Sequence, residues 1–241
     1  MPKLSLVIPV YNEEANLERL HAEIAEAMKG VSEDYEVVVT DDASRDRSWE
    51  IMQAIAARDP RWRVQRFAAN CGETAASSAG MKAASGDLIF TLDADLQNDP
   101  RDIPKFIEAL KGADCVCGSR VHERADNWLR RISSQVANWV RNKLSDENIT
   151  DAGCTYRAFR KECLAEVKFF RGAHRFLPTL FRMDGYTVVE IPITPRERFA
   201  GESKYGVWNR LFKSFTDLLA VRWMKSRQLR YRIAERKGFP S

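Results

Sequence analysis

Phe90-Thr91-Leu92-Asp93-Ala94-Asp95-Leu96-Gln97 ends an apolar run with two carboxylates and a side-chain amide. Such a run reads as a β-strand that delivers acidic groups to the edge of a sheet. Side chains alternate along an extended strand, so Asp93 and Asp95 share one side at its carboxyl end, where open α/β sheets bind ligands. Two hard oxygen donors on one side suit Mg²⁺ or Mn²⁺ shared with phosphate groups and water. The same Asp-x-Asp pattern also arises in solvated turns and caps, so the neighbouring sequence has to decide.

Upstream, Leu4 to Val10 is a short β-rich run, followed by a helical pattern that Asn12-Glu13-Glu14 opens through Leu17, Leu20, Ile24 and Met28. The unit repeats with a strand from Tyr35 into Asp41-Asp42, then a helix carrying Trp49, Met52, Ile55 and Ala56. Trp62 to Phe67, Thr74 to Ala84, Asp87 to Leu92, Arg101 to Leu110 and Ala113 to Gly118 continue the alternation. This predicts an α/β fold: a mostly parallel sheet with helices on both faces. Beyond Arg120 the rhythm changes to long amphipathic helices, a glycine-containing segment around Asp151 to Arg157 and one more strand from Thr187 to Ile193. A dinucleotide-dependent dehydrogenase is disfavoured, because Pro9-Val10-Tyr11-Asn12-Glu13 cannot supply the Gly-x-Gly turn that seats a pyrophosphate.

The 241 residues fit one large domain, read as 1–225 with a basic tail at 226–241. Five cysteines show no disulfide framework, and Cys115 and Cys117 read as small buried hydrophobes on a strand. His21, His122 and His174 form no metal-binding pattern and receive no catalytic role. No apolar run approaches the roughly twenty residues of a spanning helix, and the start of the chain lacks a signal-peptide pattern, so a cytoplasmic location is expected. The formal charge of +4 is uneven: from Arg196 onward basic residues far outnumber Glu197, Glu202, Asp217 and Glu235, pointing to an anionic surface or substrate. Nucleic acid is not expected as the partner of this tail, since no recognition fold accompanies Arg227, Arg230, Tyr231 and Arg232.

Four motifs in order carry a resemblance: Ile8-Pro9-Val10-Tyr11-Asn12-Glu13, Asp41-Asp42-Ala43-Ser44-Arg45-Asp46, Asn70-Cys71-Gly72, and Asp93-Ala94-Asp95-Leu96-Gln97. Together they resemble the inverting family 2 glycosyltransferases with the GT-A, Rossmann-like fold. Gly118-Ser119-Arg120, the stretch from Asp151 to Arg160 and the stretch from Glu197 to Tyr205 are similar to the polyprenyl-phosphate branch, the dolichol- and undecaprenyl-phosphate sugar transferases. The second motif usually reads Asp-Asp-Gly-Ser, so Ala43 is a departure that matters if the backbone there needs a positive φ.

The resemblance implies a nucleotide-sugar donor, a polyprenyl-phosphate acceptor and an Mg²⁺ or Mn²⁺ cofactor held by Asp93, Asp95 and Gln97. It also implies Pro9, Tyr11 and Glu13 along the nucleoside, with Asp41 or Asp42 at the base. The alternative for the first group is a helix start with Asn12 as its cap. Arg120 and Arg131, aided by Ser134, would hold the acceptor phosphate, although a solvated helix face also explains Arg131. Arg198 and Lys204 would close over the diphosphate in a basic lid. A phosphate nucleophile needs no general base, and one strand cannot flank a bond with Asp93 and Asp95 as a glycosidase pair does. Apolar stripes with Trp128 and Trp139, and with Trp208, Leu211, Phe212, Phe215, Leu218 and Leu219, either pack internally or lie in a membrane interface. Attachment is therefore expected to be peripheral on the cytoplasmic face, or through an integral-membrane partner, and oligomers are possible.

Overall fold

A computed structural model of the chain describes residues 3–120, 150–151, 153–194, 196, 207–229, 234–235 and 237–238, with backbone only for 207–215. Strands β1 (Leu4–Val10), β2 (Tyr35–Asp41), β3 (Trp62–Arg66), β4 (Leu88–Thr91), β5 (Cys115–Ser119), β6 (Arg157–Arg160) and β7 (Val188–Pro192) form one sheet in the order β3-β2-β1-β4-β6-β5-β7. Only β6 runs antiparallel to its neighbours, inserted between β4 and β5. The expected mostly parallel α/β sheet is therefore present.

Both faces are covered, as the near-continuous apolar strands require. Leu4, Leu6, Ile8 and Val10 point to one face, where they pack with α1 (Leu17–Met28), α2 (Ser48–Arg58) and α4 (Ile103–Ala109). Val7, Val38 and Ile89 point to the other and meet Met81 of α3 (Glu73–Ala83) and Leu177 and Phe181 of α5 (Leu177–Met183). Alternation along β5 buries Cys115 and Cys117 on this second face, as small hydrophobes. A long helix, α6 (Val207–Ser226), docks Leu218 and Val221 against Phe176 and Leu180.

Helix α1 begins at Leu17 after Asn16, so Asn12 does not cap it. Asn12 instead adopts φ 54° and its side-chain oxygen accepts the Arg45 N–H at 2.7 Å. The sheet order sets the site's position. Strand β1 lies between β2 and β4, so successive connections leave in opposite directions and open a crevice at the carboxyl ends.

Candidate active site

The carboxyl ends of β1, β2, β4 and β5 all reach one edge of the sheet, because these four strands run the same way. That edge gathers Pro9, Tyr11, Glu13, Asp41, Asp42, Asp93, Asp95, Gln97 and Arg120 from separate parts of the chain. Arg131, Ser134, Arg198 and Lys204 lie outside the described residues.

Among the described residues three non-glycine residues have positive φ: Asn12 at 54°, Ala43 at 57° and Leu96 at 64°. They sit in the loops that follow β1, β2 and β4, one in each. Backbone held in this sparsely populated region has to be over-determined by its surroundings, and such residues cluster at ligand-binding edges. The first two loops interlock to provide that: Asn12 N–H donates to Ser44 Oγ at 2.9 Å, Glu13 N–H to Ser48 Oγ at 2.8 Å and Glu14 N–H to Asp46 Oδ2 at 3.1 Å. In return Arg47 N–H donates to Glu14 Oε2 at 3.0 Å, and the Asn16 amide holds Glu13 Oε2 at 2.6 Å.

Asp41 and Asp42 are both buried and both organise loops. Asp41 Oδ1 accepts the Ser44 N–H at 3.1 Å, while Arg66 Nε lies 3.0 Å from Oδ2 as an ion pair without hydrogen-bond alignment. Asp42 accepts the backbone N–H groups of Cys71 at 2.6 Å and Gly72 at 2.8 Å, and the Asn70 amide at 2.8 Å. The Asn70-Cys71-Gly72 motif is thus a turn clasped by Asp42, and Gly72 takes φ 91° as it feeds α3.

In the third loop the Asn98 side chain accepts the Asp93 N–H at 3.1 Å, and Asp95 Oδ1 accepts the Gln97 N–H at 3.1 Å. Thr155 donates its hydroxyl to Asp93 Oδ2 at 2.5 Å. Burial, then repulsion from Glu73 and Asp95, pushes the Asp93 carboxyl up to about 7, against the pull of Thr155 and Arg120. The Asp93 carboxyl is therefore held where burial and two neighbouring carboxylates oppose its charge. Among the described residues no group of three or more His, Cys, Asp or Glu is arranged to hold a metal ion. Two carboxylates with an amide fit Mg²⁺ or Mn²⁺ nonetheless, since these ions complete their shell with phosphate oxygens and water.

Arg120 faces this acidic group from the end of β5. Its Nε donates to Asp151 Oδ2 at 2.7 Å and its Nη2 to Asp151 Oδ1 at 3.1 Å, a bidentate pair. Burial opposes its charge, but the hydrogen bonds and charge of Asp151 overcome this and hold the guanidinium firmly protonated.

Several site-edge residues carry no signal in the sequence. Glu73 opens α3, and His174 Nε2 sits 3.3 Å from its Oε1 while His174 Nδ1 and Thr74 Oγ1 are 2.6 Å apart. Buried Arg157 donates to the His174 carbonyl. The resemblance marks Arg157 within a motif, but nothing in the sequence pairs it with a histidine seventeen residues on.

The glycosyl transferase family 2 model matches residues 5–168. An undecaprenyl-phosphate 4-deoxy-4-formamido-L-arabinose transferase of Aeromonas hydrophila is 37% identical over 205 residues, covering 85% of this chain and 63% of the relative. A dodecaprenyl-phosphate galacturonate synthase of Rhizobium johnstonii is 34% identical over 224 residues, covering 91% and 66%. The chain thus spans just under two thirds of the length of these relatives. Among solved structures, glucosyl-3-phosphoglycerate synthase of Mycobacterium tuberculosis with Mn²⁺, UDP-glucose and phosphoglyceric acid superposes with a TM-score of 0.69 at 20% identity, over 93% of this chain and 79% of that one. A mannosyltransferase of Pyrobaculum calidifontis with GDP-mannose and Mn²⁺ gives 0.62 at 19% identity, over 94% and 70%. These structures share the fold, the sequence matches extend the likeness through the edge loops, and the chain belongs to glycosyl transferase family 2.

Proposed function

We propose that this chain transfers a sugar, with inversion, from a nucleoside-diphosphate sugar to a polyprenyl phosphate at the cytoplasmic face of a membrane. The observation that carries this reading is that the sheet brings Asp93 and Asp95, beyond the carboxyl end of β4, to the same switch-point edge as half-buried Arg120, beyond the end of β5. Such an edge suits a diphosphate brought in with a divalent ion on one side and an anionic acceptor on the other. The relatives named for undecaprenyl- and dodecaprenyl-phosphate products favour a lipid phosphate as that acceptor.

In the proposed reaction an acceptor phosphate oxygen supplies the electron pair that forms the new bond to the anomeric carbon. The bond from that carbon to the diphosphate oxygen breaks, and its electrons leave on the nucleoside diphosphate. The acceptor is already anionic, so no proton has to be removed. Pro9 near the end of β1 and Tyr11 and Glu13 in the loop after it would wall the nucleoside side, with Asp41 or Asp42 at the base. Asp93, Asp95 and Gln97 would hold Mg²⁺ or Mn²⁺, which when bound offsets the charge that develops on the leaving diphosphate. Arg120 offers positive charge toward the acceptor phosphate; from segments outside the described residues, Arg131 is proposed to add charge and Ser134 a hydroxyl donor there, and Arg198 and Lys204 to close over the diphosphate.

Transfer of labelled sugar from a panel of GDP- and UDP-sugars into butanol-extractable lipid tests the reading, with polyprenyl phosphate and Mg²⁺ or Mn²⁺ present. A product that disappears on chelation and in Asp95→Ala is expected. Label appearing in a water-soluble saccharide would replace the acceptor assignment with a hydroxyl acceptor. Nucleotide-sugar binding with neither transfer nor hydrolysis would make the chain a binding subunit.

A further inference from the structure

Strand β5 ends at Ser119 and β6 begins at Arg157, and the residues that close the first are fastened to Thr150 and Asp151 ahead of the second. Ser119 Oγ and Thr150 Oγ1 are 2.9 Å apart, and the Arg120 N–H donates to Asp151 Oδ2 at 3.2 Å in addition to the two guanidinium bonds. Glu190, which β7 places beside β5 with Cys117 opposite it, in turn ties Thr150 and Asp151 to the sheet. Glu190 Oε2 accepts the Thr150 N–H at 2.9 Å and its hydroxyl at 3.1 Å, and Oε1 accepts the Thr150 N–H at 3.1 Å and the Asp151 N–H at 3.3 Å. One carboxylate therefore gathers two successive backbone amides and a hydroxyl.

This has a consequence for Arg120. A bidentate pair fixes a guanidinium only as well as its carboxylate is itself fixed, and among the described residues Asp151 belongs to no helix or strand. Without Glu190, the Thr150 and Asp151 amides lose the acceptor that ties them to β7, and the Asp151 carboxylate is held less firmly. A side chain that orients the group that touches substrate is worth as much as the contact itself when the reacting geometry has to be held to a fraction of an ångström.

We propose that Glu190 is a positioning residue, aiming the Arg120 guanidinium through Thr150 and Asp151. Glu190 touches no reacting atom in this scheme. The inference rests on the proposed reaction only for its kinetic test, since the linkage itself is readable without turnover.

Glu190→Gln and Glu190→Ala are compared with the unaltered chain, each also in an Arg120→Lys background. The Arg120 Nε–H resonance, identified by its loss in Arg120→Lys, should shift or broaden in Glu190→Ala, and the Thr150 and Asp151 amides should exchange faster. In transfer, Glu190→Ala should lower kcat about tenfold or more while the donor KM stays within about twofold, with Glu190→Gln intermediate. In the Arg120→Lys background the further loss from Glu190→Ala should shrink to less than about twofold, because the two act as one unit. Additive losses, or an unmoved Arg120 resonance in a folded Glu190→Ala, would overturn the proposal. Inactivity of the unaltered chain beside a shifted resonance would instead fault the reaction and leave the linkage standing.

Discussion

At the scale of single residues, Ala43 and Asp93 both hold costs that a different side chain would remove. Ala43 occupies φ 57°, where a Cβ is crowded against the backbone. Ala43→Gly should stabilise the protein by about 0.5–1 kcal/mol in urea unfolding, the relief of strain exceeding the extra entropy of an unfolded glycine. A loss of stability would mean that the interlocked loops, and not local sterics, set this backbone. Asp93 costs stability in another way. Its folded proton affinity is raised to about 7 from the ordinary 3.8, so its contribution is fully present below about pH 4 and is lost as the pH rises toward neutrality. Asp93→Asn, whose side-chain oxygen can still accept from Thr155, should raise the Tm of the metal-free protein at pH 8 while abolishing transfer. An unchanged Tm at pH 8 would show that burial here does not oppose the Asp93 charge.

At the scale of elements, the opposite end of the sheet is fastened by a buried carboxylate. Glu36 on β2 accepts from Ser5 Oγ at 2.7 Å, Ser85 N–H at 2.6 Å and Arg63 Nη1 at 2.6 Å, tying three strands to the turn after α3. Burial raises its proton affinity, but the Ser85, Ser5 and Arg63 hydrogen bonds outweigh burial and hold it down at about 2. A lowered value contributes stability above the unfolded pKa near 4.5 and loses it as the pH falls toward 2, roughly 3 kcal/mol in all. Glu36→Gln should therefore be less stable at pH 7 and show a flatter loss between pH 5 and pH 2; an unchanged acid limb would assign that proton uptake elsewhere. Helix α3 is positioned by an absence of side chain. A Cβ on Gly80 would stand 2.6 Å from Val7 Cγ1, so Gly80→Ala should push α3 off β1 at a cost of about 1–3 kcal/mol, against about 1 kcal/mol of helix propensity gained. Because α3 starts with Glu73 and Thr74 at the site edge, that variant should lose activity as well as stability, which parallel urea unfolding and transfer assays would check.

At the scale of the whole molecule, the parallel sheet was legible because β1, β2 and β4 are apolar runs that end in polar loops, and helical spacing fills the gaps between them. Strand β6 was not: Arg157-Ala158-Phe159-Arg160 is four residues with charged ends, and it becomes a strand only by pairing with β4 and β5. The acidic edge was visible as Asp-x-Asp, whereas the clasp of Asp42 on Asn70 to Gly72, the hold of Asp151 on Arg120 and the place of Glu73 depend on contacts between residues far apart in the sequence. The same holds for the apolar stripe near the carboxyl end. Its spacing placed Leu218 and Leu219 together, but α6 turns Leu218 and Val221 inward and leaves Leu219 and Trp223 exposed at 44% and 64%, beside Arg222, with Arg227 and Leu229 exposed just beyond its end. Among the described residues no helix is long and apolar enough to cross a membrane. An outward tryptophan with flanking arginines suits the headgroup level of an anionic bilayer, where each basic residue near the surface adds about 1 kcal/mol. The protein should therefore cosediment with vesicles containing phosphatidylglycerol, more weakly as salt rises and weakly with neutral vesicles. Trp223→Glu and the pair Arg222→Glu with Arg227→Glu should each reduce binding about tenfold or more without lowering the Tm, since these side chains face away from the core. Equal binding by all three would move the membrane contact off this face of α6.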